Sequence, residues 1–223
     1  MQGLIRIIYK DNQICVIEKP IGMPSQSDPT GALDALSAAA AHLHSLGEKN
    51  NLWLIHRLDR NVGGILVFAR TQASAKELSA LASGEGLKKE YYAVASGNLQ
   101  DGELCDFLYK DSRTSKAYVV KTERKGAKRA LLNLERVAER EEGTLYRVLL
   151  KTGRFHQIRC QLSSRGAPLL GDKKYGSRDA LARVPALFAY RLSFSLFRKE
   201  YTFCRKPDTE KYPWNKFEGE FFE

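Results

Sequence analysis

Short runs of branched apolar residues alternate with polar turns along most of the chain, and alanine-rich stretches interrupt them. Leu4 to Tyr9 and Ile14 to Glu18 read as two strands joined by the polar turn Lys10-Asp11-Asn12-Gln13. Two prolines and a glycine in Lys19-Pro20-Ile21-Gly22-Met23-Pro24-Ser25 then enforce an extended loop. Ala32 to Leu46 is alanine-rich with leucines at 33, 36, 43 and 46, which predicts a helix closed by Gly47. His42 and His44 lie two apart on it, so they point to different sides and cannot chelate together. Leu52 to Ile55 and Ile65 to Ala69 have the pattern of buried strands, with a turn marked by Asn61 and the Gly63-Gly64 pair between them. A second helix is predicted over Gln72 to Ser83, with Ala73, Ala75, Leu78, Leu81 and Ala82 as its apolar positions and Gly84 and Gly86 as its stop.

Strand character resumes over Lys88 to Ala95, and residues 98 to 116 are polar and turn-rich. Tyr118 to Lys121, Arg129 to Glu139 and Thr144 to Thr152 predict an antiparallel meander. Its first turn, Arg124-Lys125-Gly126-Ala127-Lys128-Arg129, carries four positive charges in six residues, as a solvated hairpin tip or an RNA phosphate contact would. Gly153 ends a strand, and His156 to Arg165 has helical spacing ended by Gly166, with Pro168 just beyond. On that helix His156 and Arg159 share one face, and Ile158 and Leu162 pair on another. A loop rich in glycine and charge runs from Pro168 to Gly176. Ala186 to Leu192 and Glu200 to Phe203 are predicted closing strands, and the tail after Pro207 is aromatic and acidic, with Trp214, Phe217, Phe221 and Phe222. With no internal repeat, linker or low-complexity segment, the expectation is one domain over residues 1–223.

Composition narrows the partners. Of 223 residues 43% are hydrophobic, enough for a packed core, and 28% are charged. The 36 Lys+Arg against 26 Asp+Glu leave a net charge of +10. That excess favours a polyanion, and nucleic acid over membrane because no basic amphipathic anchor accompanies it. Cys15, Cys105, Cys160 and Cys204 are scattered without CxxC spacing, which argues for buried reduced thiols rather than a zinc site or a disulfide framework. The amino terminus lacks a signal-peptide pattern and no stretch of about 20 apolar residues occurs, so a cytoplasmic protein is expected.

Candidate chemistry concentrates in Leu54-Ile55-His56-Arg57-Leu58-Asp59-Arg60-Asn61. One carboxylate, Asp59, lies between two arginines beside a histidine, on a tight loop between predicted core strands. Strands hold such a loop rigidly while its side chains face outward. Arg57 and Arg60 would each favour the ionised form of Asp59, as suits a nucleophile or a base. A structural ion pair is the alternative.

Taken together these stretches resemble the RluA-type family of RNA pseudouridine synthases over most of the chain. Ile8-Tyr9-Lys10-Asp11 through Ile17-Glu18-Lys19-Pro20-Ile21-Gly22-Met23 looks like the family's first motif, and His56-Arg57-Leu58-Asp59 matches its signature, whose aspartate is catalytic. Lys89-Glu90-Tyr91-Tyr92-Ala93 is similar to its Lys-x-Tyr-x-Ala strand. Thr152-Gly153-Arg154-Phe155-His156-Gln157-Ile158-Arg159, with Gly166-x-Pro168 and Gly171-Asp172-x-x-Tyr175-Gly176, looks like its third motif. Each match is short; four in the family's order carry the likeness. Where the family usually has Thr-Ser-Gly after the signature, this chain has Val62-Gly63-Gly64, so two hydroxyls are absent. The small RNA-binding module often found ahead of the catalytic domain is expected to be absent, because the first motif begins within ten residues of Met1.

The resemblance implies an α+β fold: a long, mixed, mainly antiparallel sheet with flanking helices and a central basic cleft. It implies isomerisation of specific uridines in ribosomal or transfer RNA, with Asp59 attacking covalently or removing a ribose proton. Arg159 would pair with Asp59, and Tyr91 would stack on the base and assist proton transfer from carbon 5. Arg57 would fill the space left by the flipped uridine or hold a phosphate. Arg154 and His156 fall on the substrate side, Ile158 and Leu162 would wall the pocket or pack beneath it, and His56 is structural. No metal, no small-molecule cofactor and no membrane are expected, and a monomer is the default. The alternative is a non-catalytic RNA-binding or RNA-chaperone protein on the same fold, which positive charge and stacking aromatics would serve equally. A glycosidase fails for lack of a clear second carboxylate.

Overall fold

The computed structural model describes residues 5–49 and 51–221; of the residues named above, Met1, Leu4 and Phe222 lie outside them. The chain folds into two compact units, one holding the residues up to Lys88 together with Ala189–Arg205, the other Lys89–Phe188 and the residues from Lys206.

In the first unit, strands β1 (Arg6–Lys10) and β2 (Ile14–Lys19) form an antiparallel hairpin. Its turn is fixed by Asp11, whose Oδ1 accepts from the backbone N–H groups of Gln13 (2.7 Å) and Ile14 (2.9 Å). The next neighbour of β2 is β4 (Gly63–Ala69), antiparallel with Ile14 opposite Ala69 and Lys19 opposite Gly64. Every residue of β4 is buried, as a run without polar alternation predicts. A two-residue strand, β3 (Trp53–Leu54), pairs with its far end. On the other edge β4 is followed by β10 (Leu187–Leu196), which turns back into β11 (Lys199–Cys204). Ile14, Val16, Ile65, Val67, Leu192 and Phe194 form the core of this unit with Leu78 of helix α2 (Gln72–Ser83). The side chain of Thr71 caps α2 on Ser74 N, and Ser74 returns the bond to Thr71 N.

Two details of this unit differ from expectation. Helix α1 runs only over Ala35–Ser45, capped by Asp34 on Ser37 N, and buries Ala35, Ala38, Ala39 and Leu43. Leu33 and Leu46 fall outside it and are exposed, and Ala73 of α2 is exposed while Ser74 is buried. Gly63 and Gly64 belong to β4 rather than to the turn before it. Gly64 has a local reason: φ is +121°, and a Cβ there would lie 2.2 Å from the carbonyl oxygen of Ala189.

The second unit is an antiparallel sheet in the order β5-β9-β8-β6-β7. Its strands are β5 (Lys88–Ala95), β6 (Gly102–Asp111), β7 (Lys116–Val120), β8 (Ala127–Arg140) and β9 (Gly143–Leu150). Strand β6 occupies a stretch expected to be turns. Of its ten residues only Leu108 is buried, so charged and half-buried positions mask the pattern. Helix α3 (Gln157–Ser163) is shorter than its spacing predicts, and Cys160 on it packs with Leu108, Ala117, Ala130 and Tyr175. The aromatic tail packs inward: Phe221 meets Tyr92 edge-on at 4.9 Å and Trp214 at 6.1 Å. Cys15 and Cys160 are buried as expected, whereas Cys105 is exposed and Cys204 half-buried. The mainly antiparallel α+β fold is the expected class. Among the described residues no helix is long and apolar enough to cross a membrane.

Candidate active site

Asp59 belongs to the first unit, and its loop is held on both sides by the Lys19–Ser25 segment. Lys19, the last residue of β2, is 1% exposed. Its ammonium donates to the carbonyls of Pro20 (2.9 Å), Met23 (2.7 Å) and Arg60 (3.2 Å). Gly22, in a left-handed turn, adds its N–H to the same Arg60 carbonyl at 2.8 Å. On the other side, Ser25 Oγ donates to the carbonyl of Leu58 at 2.8 Å and accepts from its N–H at 3.0 Å. Both neighbours of Asp59 are thus fixed, and its own carbonyl closes a turn by accepting from Val62 N–H at 3.0 Å. A carboxylate carried this way has little backbone freedom left to lose when it meets a ligand.

Lys19 joins the expected pair of arginines around Asp59. Arg57 is exposed. Arg60 directs its guanidinium to Gly22 O (3.0 Å), Thr30 Oγ1 (3.3 Å) and Asp28 (3.8 Å), bracing the same loop from outside. Lys19 is electrostatically coupled to Asp59: burial pushes its ammonium down to about 7, and the negative charge of Asp59 pulls it back up. His56 Nε2 accepts from Val67 N–H at 3.4 Å, which ties the histidine to β4.

The other expected site residues belong to the second unit. Tyr91, on β5, is buried. Arg159, on α3, is gripped by Asp172, with Nε 2.7 Å from one carboxylate oxygen and Nη2 2.9 Å from the other. The guanidinium lies 5.1 Å from the centre of the Tyr175 ring. Tyr175 also joins His156, whose Nδ1 is 3.0 Å from its hydroxyl, and that hydroxyl accepts the Ala117 N–H at 2.8 Å. His156 is therefore not on a helix face beside Arg159. It precedes the first turn of α3 with φ of +52°, stacked on Phe155 at 3.8 Å, and Tyr175 connects the two residues. Ile158 and Leu162 are buried in the interior. Arg154 is exposed and donates from Nε to the carbonyl of Arg129 at 2.8 Å. Gln157 builds the entry to α3 by accepting from Thr152 Oγ1 (2.8 Å) and Arg154 N–H (3.0 Å).

Lys19, Asp172 and Tyr175 lie within the recognised motifs, yet no role for them is legible there. The available signal was the placing of Lys19 after four buried apolar strand residues, since a lysine there must find internal acceptors. Among the described residues no group of three or more His, Cys, Asp or Glu side chains could hold a metal ion.

Comparison with known proteins agrees with this arrangement of motifs. The family profile described as RNA pseudouridylate synthase matches residues 13–164. An uncharacterized RNA pseudouridine synthase of Aquifex aeolicus is 31% identical over 205 residues, which cover 85% of this chain and 65% of that protein. Ribosomal large subunit pseudouridine synthase D of Vibrio vulnificus is 34% identical over 184 residues, 81% of this chain and 54% of that one. The chain thus spans between half and two-thirds of the length of these relatives. Human RNA pseudouridylate synthase domain containing 4 shares the fold at a TM-score of 0.75, with 22% identity over 91% of this chain and 88% of that chain. Four motifs in order, the fold and the profile together assign the chain to the RNA pseudouridylate synthase family.

Proposed function

We propose that this protein isomerises specific uridines of RNA to pseudouridine, with Asp59 as the essential carboxylate and ribosomal RNA as the substrate class that the Vibrio relative's name suggests. The observation that carries this reading is the double clamp on the Asp59 loop, Ser25 on Leu58 and Lys19 with Gly22 on Arg60. A binding protein has no need of a carboxylate presented so rigidly to a polyanion.

In this reading the bond from the ribose to uracil N1 breaks and one to C5 forms, while a proton leaves C5 and N1 gains one. Nothing is oxidised and no atom is lost. Asp59 attacks covalently or takes a ribose proton, and both routes use the carboxylate form. Tyr91 stacks on the flipped base, and Arg159 is the cationic partner that keeps the carboxylate oriented. Arg57, Arg154 and His156 serve the RNA strand, and a single catalytic domain acting as a monomer suffices.

The test is pseudouridine mapping by carbodiimide labelling of RNA from cells lacking the gene, complemented with wild type or with Asp59→Ala. Sites that vanish, return with wild type and stay absent with Asp59→Ala establish the enzyme and its carboxylate. Persistence of every site, together with no product from purified protein on unmodified transcripts, would leave the RNA-binding alternative standing.

A further inference from the structure

Lys89 is a buried lysine that the proposed chemistry does not use. It lies on β5, 8% exposed, opposite Leu150 of β9. Among the described residues its ammonium has no hydrogen-bond acceptor and no carboxylate partner, in contrast to Lys19 with its three carbonyls. Burial alone acts on it, and pushes its ammonium below the ordinary lysine range. Its stem is buried but Nζ is not among the buried nitrogens that lack a partner, so the tip meets water and, with no acid beside it, is open to an anion from outside.

The surroundings indicate that partner. A Cβ placed on Gly153 would lie 3.6 Å from Lys89 Nζ, in van der Waals contact. Gly153 is itself exposed, so the missing side chain leaves the ammonium approachable from solvent past a bare peptide. The next residue, Arg154, is exposed and has no carboxylate partner among the described residues. Two cations flank one glycine, and no acid neutralises either. Strand alternation puts Lys89 on the same face as Tyr91, about 7 Å along β5. A nucleotide whose base stacks on Tyr91 therefore has its sugar-phosphate chain within a lysine's reach.

We propose that Lys89 is a phosphate-binding residue: its ammonium, approached past Gly153 and flanked by Arg154, takes one backbone phosphate of the RNA. This rests on the RNA-isomerase reading, in which Tyr91 holds the base.

The experiment compares wild type with Lys89→Met, Lys89→Gln, Lys89→Arg and Asp59→Asn. Binding of a labelled single-stranded oligouridylate is titrated over a series of KCl concentrations, and pseudouridine formation is measured on unmodified large-subunit ribosomal RNA transcripts. Loss of one charge-assisted bond predicts binding weaker by about 10- to 100-fold in Lys89→Met and Lys89→Gln. Loss of one phosphate contact predicts a salt slope flatter by about 0.7. Lys89→Arg keeps the slope, and Asp59→Asn keeps both affinity and slope while forming no product. Wild-type affinity and slope in both neutral variants overturn the proposal, as does weaker binding at an unchanged slope, which marks a contact to an uncharged group. Collapse of the fold in both neutral variants overturns it too, since an ammonium without acceptors has no bonds to lose. If wild type itself neither binds the probe nor forms pseudouridine, the isomerase reading fails; if it does both and the neutral variants match it, only the role of Lys89 fails.

Discussion

Asp172 takes Arg159 with both carboxylate oxygens, at 2.7 and 2.9 Å, in a position where the aspartate is 1% exposed. The pair spans 13 residues, from α3 to the turn that carries Tyr175. Two parallel N–H···O bonds fix the plane of the guanidinium as well as its position, which a single contact to a lysine would not do.

Removing Asp172 takes from the buried guanidinium both of these charge-assisted bonds. Asp172→Ala is expected to lower stability by about 3–5 kcal/mol, measured by urea denaturation. Replacing both residues by leucine is expected to recover much of that loss, because the guanidinium leaves together with the carboxylate that grips it. The double variant should nevertheless form no pseudouridine if Arg159 has its proposed role. Activity in that variant would remove Arg159 from the chemistry.

Lys19 gives a pH signature with a definite sign. Its ammonium titrates at about 7 in the folded chain against an ordinary 10.5, so between those values the unfolded chain holds the extra proton. The penalty for burying the charge is fully present below pH 7, and stability from this group rises as pH climbs from 7 towards 10.5. Subtracting the melting temperature of Lys19→Met from that of wild type cancels the other titrations. The difference should grow between about pH 6 and about pH 9. A flat difference would mean that the three carbonyls keep Lys19 charged throughout.

Local signals explain which elements the sequence disclosed. Helix α2 has the expected bounds because Thr71, Ser74 and Gly84 mark its ends within one turn of them. Strand β4 was visible as an unbroken apolar run. By contrast, β6 mixes charge into both of its faces, and α1 buries small alanines where leucines suggest the core, so composition misleads in both. At the site, motif order marked Asp59 as a reactive carboxylate, but the pieces that hold its loop are far apart along the chain. Lys19 meets Arg60 across 41 residues and Ser25 meets Leu58 across 33. Only folding brings such partners together, and it also sets Lys19 beside Asp59 from a distant strand.

Gly64 separates backbone strain from collision. Alanine there meets the Ala189 backbone, with its Cβ 2.2 Å from the carbonyl oxygen and 2.7 Å from the nitrogen, at φ of +121°. Neither atom can move without disturbing the strand. A loss of about 3 kcal/mol or more is expected for Gly64→Ala. Gly22→Ala is the control: φ is +87° but nothing lies within 4 Å, so only the left-handed backbone penalty of about 1–2 kcal/mol applies. Equal melting temperatures for the two variants would refute the collision.

Tyr175 lets the hydroxyl and the ring be told apart. The hydroxyl accepts the Ala117 N–H at 2.8 Å and bonds His156 Nδ1 at 3.0 Å, while the ring faces the Arg159 guanidinium at 5.1 Å. Burial pushes the phenol's titration upward, so the hydroxyl stays neutral at any pH of assay. Phenylalanine keeps the ring and removes both hydroxyl bonds. The buried Ala117 N–H is then left without an acceptor, at a cost of about 1–3 kcal/mol. His156 loses the bond that helps to hold its left-handed backbone, φ of +52°. Hydrogen exchange in Tyr175→Phe should accelerate at Ala117 and around His156 while protection elsewhere in β8 and β9 stays near that of wild type. Because the ring still backs Arg159, product formation should persist in Tyr175→Phe and fall much further in Tyr175→Ala. Equal activity in the two variants would mean that the ring does not position the arginine, and would leave that task to Asp172.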